Sequence, residues 1–163
     1  MSRRGAPKNP KSCHDRALGL LAVRPRSRRE LQRRLLAARF EPGEVEDVLV
    51  RLERVGLVDD EAFARQFAEH RFESRGEGSR AVMHGLRAAG IASSLAETVA
   101  QDVQGDDEER AADLARSRVS RLAGVPAEKA FARLSSLLMR RGYGPEIARS
   151  AARKALEIQV ADE

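Results

Sequence analysis

A chain of 163 residues that is 34% charged, 42% apolar, only 4% aromatic and devoid of tryptophan reads as a soluble helical protein, with too many regularly spaced apolar residues for full disorder. No apolar run approaches the roughly twenty residues needed to span a bilayer, and the basic N-terminus lacks the apolar stretch of a secretory signal. The single cysteine, Cys13, excludes an internal disulfide and fits a reducing cytoplasm.

The net charge of +5 is unevenly placed. Residues 1–55 hold 14 Lys/Arg against 7 Asp/Glu, a surplus of seven; the remainder hold 16 against 18, a deficit of two. Such one-sided charge favours a polyanion or an acidic protein surface as partner, although a solvated arginine-rich face would look the same.

Taken in order, residues 1–12 are expected to form a flexible basic tail with Arg3, Arg4, Lys8 and Lys11. A first helix begins near Cys13, carries Ala17, Leu18, Leu20, Leu21 and Val23, and ends at Arg24-Pro25-Arg26, because the residue before proline avoids helical angles. Ser27-Arg28-Arg29-Glu30 reads as a capping box opening a second helix, with Leu31, Leu35 and Leu36 inward and Arg28, Arg29, Arg33 and Arg34 mostly outward. Pro42-Gly43 opens a third helix whose Val45, Val48, Leu49 and Leu52 follow helical spacing, and Val55-Gly56-Leu57 closes it.

The second unit starts with Asp59, Asp60 and Glu61 as an acidic helix start. Phe63 and Phe67 share a face with Ala64 and Ala68; Phe72 lies on the opposite side, and His70 is expected at the edge of the core. Arg75-Gly76-Glu77-Gly78 forms a joint, followed by a helix carrying Val82, Met83 and Leu86 to Ile91, with His84 expected at the surface or in the joint. Ser94-Leu95-Ala96-Glu97 reads as another capping box, ahead of Val99 and Val103. Gly105 and the run Asp106-Asp107-Glu108-Glu109 open a third unit. Its stripes are Ala111, Ala115, Val119 and Leu122, then Phe131, Leu134 and Leu138, and finally Ile147, Ala151, Ala155 and Ile158; Tyr143 anchors the last helix pair.

Leu35, Leu86 and Leu138 each stand five residues before an apolar or aromatic residue (Phe40, Ile91, Tyr143), at steps of 51 and 52. That period predicts an all-α fold of three tandem three-helix repeats, 13–57, 58–104 and 105–158, packed into an elongated, curved array with a short tail at 159–163.

The segments ALGLLAVRPRSRRELQRRLLAARF and LERVGLVDDEAFARQFAEHR, with the joint leading to GLRAAGI, resemble the RecX family of regulators of the RecA recombinase. The resemblance runs over nearly the whole chain after the tail and is strongest over Ala17–Ile91. Two positions depart from the family pattern: Arg39 replaces a glycine before an aromatic, and Gly85 replaces a glutamate before Leu86. The resemblance implies a cytoplasmic, non-enzymatic regulator without cofactor or metal. Such a regulator binds the RecA–single-stranded DNA filament and restrains its ATPase, recombinase and coprotease activities.

The contact surface expected from the residues is Arg24, Arg26, Arg28, Arg29, Arg33 and Arg34, since guanidinium groups suit forked bonding to carboxylates and phosphates. Arg71, Arg75 and Arg80 around the glycine joint form a second patch. The alternative is a helix-turn-helix DNA-binding module that contacts single- or double-stranded DNA directly through its basic half. No phosphate-binding loop or nucleophile elbow is present, and Cys13, His14, His70 and His84 lack zinc-ligand spacing. No heptad stripe is long enough for a coiled coil, so a monomer is expected.

Overall fold

The computed structural model describes residues 12–104 and 106–161, and the side chains of 103, 104 and 158–161 are left aside. The expected tail before Ser12, Gly105, and the packing of Val103 and Ile158 therefore lie outside the described residues. The described chain is helical throughout. Its helices are α1 (Cys13–Val23), α2 (Arg28–Ala37), α3 (Pro42–Arg54), α4 (Asp60–Arg75), α5 (Ser79–Ala88), α6 (Ser93–Gln104), α7 (Asp107–Val119), α8 (Ala127–Arg140) and α9 (Pro145–Ala161). A 3-10 turn, Ser120–Leu122, follows α7. The all-α repeat organisation read from the 51- and 52-residue steps is thus observed. The described residues divide into two compact units: those up to 63 together with 89–91, and 64–88 together with those from 92 onward.

In the first unit, Ser12 is part of the fold, because its hydroxyl accepts from Asp15 N at 3.0 Å and caps α1. Proline at the first position of α3 supplies a residue whose missing N–H would have been unpaired there. Leu31, Leu35, Val45, Val48, Leu49 and Leu52 are buried together with Cys13, Ala17, Leu20 and Val58. Each buried leucine contributes about 2 kcal/mol of transfer free energy. Leu36, expected inward, is 40% exposed: it follows Leu35 by 100° of helix and turns past the edge of the core.

The second unit buries Ala64, Ala68 and Phe72 from α4 and Val82 and Leu86 from α5, while Phe67 is half-buried. The Arg110 guanidinium lies 4.4 Å from the Phe72 ring centroid, so Phe72 packs inside the fold. His70 is exposed, not at the core edge, and its Nδ1 lies 3.2 Å from Ser74 Oγ. Gly85 has a packing reason: a Cβ there would come within 2.8 Å of the Phe67 ring. The helix gives up propensity at that position so that an aromatic ring can approach its backbone. Around α7, α8 and α9, Ala111, Ala115, Leu134, Leu138, Tyr143, Ala148, Ala151 and Ala155 form a second core.

Both expected capping boxes are incomplete. Ser27 Oγ accepts from Glu30 N at 3.1 Å, but the Glu30 carboxylate faces arginines instead of returning to the Ser27 amide. Helix α6 starts at Ser93, which places Ser94 inside its first turn, and Glu97 accepts from Arg87 at 2.7 Å.

One joint occurs twice. In the first unit, Asp60 Oδ1 accepts from Arg28 N at 2.8 Å, Ser27 Oγ donates to Ala89 O, and Gly90 (φ 87°) lies against the Arg29 side chain. In the second unit, Asp107 accepts from Ser79 N and Ser79 Oγ, and Gly78 N and Arg80 N donate to Arg141 O and Gly142 O. There Gly142 (φ 91°) lies against Ala81. A carboxylate thus satisfies a free amide at the start of α2 and again at α5, while the carbonyls of the glycine turn accept from the Ser27 hydroxyl at the first joint and from the Gly78 and Arg80 amides at the second. Asp60 and Asp107, expected to cap their own helices, cap distant ones, while Asp59 caps locally by accepting from Ala62 N. Tyr143 is buried, and its hydroxyl donates to Gly76 O at 3.0 Å, which ties the last joint to the one after α4. In α8 the repeat leucine, Leu138, follows the helix start by eleven residues, against seven for Leu35 in α2 and Leu86 in α5. Helix α8 therefore begins one turn early.

Arg39 occupies the turn position of Gly90 and Gly142 and has the same left-handed backbone, φ 68°. Left-handed angles cost a residue bearing a Cβ about 1–2 kcal/mol, partly offset by the entropy that glycine loses on folding. Arg39→Gly is expected to stabilise the protein by about 0.5–1 kcal/mol. Denaturant midpoints of the two proteins test this, and an unchanged or lower midpoint would contradict it.

Candidate partner-binding surface

Proline at position 25 stops α1 and sends the chain back, so that three arginines from two helix ends converge on one carboxylate. Arg24 Nη2, Arg26 Nη1 and Arg34 Nε all donate to Glu30 Oε1, at 2.7, 2.5 and 2.9 Å. The side chain of Glu30 is 9% exposed and that of Arg26 only 6%, and Arg26 Nε also donates to Leu20 O. Burial works to raise the Glu30 pKa, but donation from Arg34, Arg24 and Arg26 outweighs it, and the group lies below the ordinary carboxylate range. Three positive charges around one negative charge leave a surplus of two, carried outward by Arg24 and Arg34, whose side chains are each 48% exposed.

The other predicted residues separate by partner. Arg28 donates to Glu46 and also pairs with Glu53 at 2.9 Å, so its charge is matched inside the unit. The Arg29 stem lies against Gly90 while the residue stays exposed, and Arg33 is exposed; neither guanidinium has a partner among the described residues. Arg26 was expected to reach a partner. Buried against Leu20 O and Glu30, it cannot, and it serves to hold the cluster together.

Around the second joint, Arg71 Nη1 donates to both Glu77 oxygens at 2.8 Å and its guanidinium lies 4.8 Å from the Phe67 ring centroid, so this arginine is also committed within the fold. Arg75 is exposed, 3.8 Å from Glu77, and Arg80 is exposed without a side-chain partner among the described residues. The nine predicted arginines thus give an outward set of Arg24, Arg29, Arg33 and Arg34 in the first unit and Arg75 and Arg80 in the second. Glu30 is the residue that sequence reasoning missed. Its signal was arginine at six and four residues before it and four after.

The described residues hold no group of three or more His, Cys, Asp or Glu placed to bind a metal ion, and no helix long and apolar enough to cross a membrane. What the surface offers is fixed positive charge.

Comparison with known proteins supplies the remaining constraint. Residues 13–52 match the family described as "RecX, first three-helix domain" and residues 59–99 "RecX, second three-helix domain". The chain is similar to the "Regulatory protein RecX" of Halorhodospira halophila, with 37% identity over 96% of this chain and 95% of that one. It is 34% identical to the "Regulatory protein RecX" of Streptomyces coelicolor, over 89% of this chain and 78% of that one. Among solved structures, the crystal structure of RecX from Lactobacillus salivarius superposes with a TM-score of 0.82, covering 90% of this chain and 95% of that one. At 17% identity that likeness shows the fold.

Proposed function

Because the chain belongs to the RecX family of regulatory proteins, we propose that it is a negative modulator of RecA, binding the RecA–single-stranded DNA filament and restraining its ATPase, recombinase and coprotease activities. In this reading it acts in the bacterial cytoplasm, by binding and without catalysis. The observation that carries the reading on this chain is the over-charged arginine cluster of the first unit. Glu30 fixes Arg24 and Arg34, and Arg29 and Arg33 stand beside them on α2 without internal partners. Arginines already held in place lose less freedom on meeting a carboxylate or phosphate than free side chains do.

Titrating the protein into preformed RecA filaments on single-stranded DNA tests the proposal through the rate of ATP hydrolysis. Inhibition well below one protein per RecA subunit is expected. Arg29→Glu/Arg33→Glu should raise the protein concentration needed for half-inhibition by about tenfold or more, since opposite charges replace attraction with repulsion at a contact. Absence of inhibition together with tight, salt-sensitive binding to naked duplex would instead identify a direct DNA-binding module.

A further inference from the structure

Helix α8 carries a second basic surface that the near-neutral composition of the C-terminal two-thirds conceals. Lys129, Arg133 and Arg140 are exposed, and none has a partner among the described residues. At 100° per residue, Arg133 lies about 40° and Arg140 about 20° round the helix from Lys129, so the three form one stripe. The rise per residue spaces them about 6 and 10 Å apart, a row of roughly 17 Å. Ser136 and exposed Ala132 fall within or beside the row and carry no charge, while the buried Ala130, Leu134 and Leu138 face elsewhere. Glu128 is about 100° away, beyond the stripe. Nothing on this face offers the fully buried apolar anchor that a protein interface centres on, since Met139 stands alone at its flank and is 41% exposed.

We propose that the α8 stripe binds the phosphodiester backbone of bare single-stranded nucleic acid. A straight row of cations spaced by one and two helical turns suits a flexible strand that can lie along it. A duplex presents its phosphates on curved ridges that a straight row meets at fewer points. With no aromatic side chain exposed on the stripe, the contact reads charge and not bases, so it is tolerant of sequence and sensitive to salt. This contact requires no RecA and stands apart from the filament reading.

The test is fluorescence anisotropy of a labelled oligo-dT with the full chain, in the absence of RecA, over a series of salt concentrations. Each single-strand phosphate contact contributes about 0.7 to the slope of log affinity against log salt. Lys129→Gln/Arg133→Gln/Arg140→Gln is therefore expected to flatten the slope by about 2 and to weaken binding several-fold at low salt. Arg149→Gln/Arg153→Gln/Lys154→Gln removes the same charge from α9 and should leave the slope nearly unchanged. Matching circular dichroism and melting of all three proteins secures the comparison. An unchanged slope in the α8 variant, an equal loss in the α9 variant, or a loss confined to duplex DNA would each overturn the proposal. So would a variant that binds bare strand normally but no longer inhibits filament ATPase, since the stripe would then face protein.

Discussion

Glu30→Gln is expected to cost the first unit about 3 kcal/mol, the scale for removing one member of a buried ion pair and stranding its partners. Glutamine keeps the shape and one acceptor oxygen, so the loss isolates the charge. Arg26 would retain Leu20 O but lie almost fully buried without a counter-ion, while Arg24 and Arg34 could turn to solvent. The effect carries a pH signature. The folded-state pKa of Glu30 lies below its ordinary value of 4.5, so its stabilisation is present above that value and is lost as pH falls through the lower folded-state value. Wild type and variant should therefore differ fully at pH 7 and converge in acid. Urea unfolding across that range measures this; a constant gap would show that the carboxylate charge is not the source. The same variant should weaken filament inhibition, because Arg24 and Arg34 lose the anchor that sets their positions.

Gly142→Ala is expected to destabilise the second unit by about 3–4 kcal/mol. A Cβ at this position would lie 2.4 Å from Ala81 Cβ and 2.5 Å from Ala81 N, and backbone atoms cannot swing aside. Its backbone at φ 91° adds about 1–2 kcal/mol of strain. Forcing the turn away from α5 also stretches the bonds from Gly78 N to Arg141 O and from Arg80 N to Gly142 O, each worth about 1 kcal/mol. Gly144→Ala is the control, with nothing within 4 Å of its added Cβ. Scanning calorimetry should show the first variant melting roughly 10 °C lower and the second within 2 °C of wild type. Equal melting would mean that the joint relaxes without loss.

Features that depend on neighbours three or four residues apart were legible in the sequence. The Val45–Leu52 stripe, the proline stop after α1 and the steps of 51 and 52 follow from helical periodicity and from the angles each residue permits. Features that depend on distant partners were not. Glu30 looked like half of a capping box because nothing local says that Pro25 brings Arg24 back beside it. Asp60 and Asp107 looked like caps of their own helices because their acceptors' partners, Arg28 N and Ser79 N, lie in helices far back in the chain. Gly85 reads in the sequence only as a departure from the family pattern, because the Phe67 ring that lies against it comes from another helix. Of the predicted arginines, exposure could be guessed from helix phase, but whether a guanidinium was already matched could not. The α8 stripe is hidden in a count over residues 56–163 as one block, where the acidic second repeat offsets the basic surplus of the third.

The paired joints show what a repeat must supply for the contact to form: a carboxylate and a glycine turn, offered to an open helix start. Not every repeat position carries them. Cys13 stands 47 residues before Asp60, as Asp60 does before Asp107, and it presents a buried thiol where the others present an acid. Arg39 stands in the turn where Gly90 and Gly142 allow close approach. In α8 the extra first turn occupies the position that the open starts of α2 and α5 hold. Among the described residues the joint is made where carboxylate, glycine turn and open helix start coincide, so a repeat gains or loses it by changes at a few positions and not by rebuilding a surface.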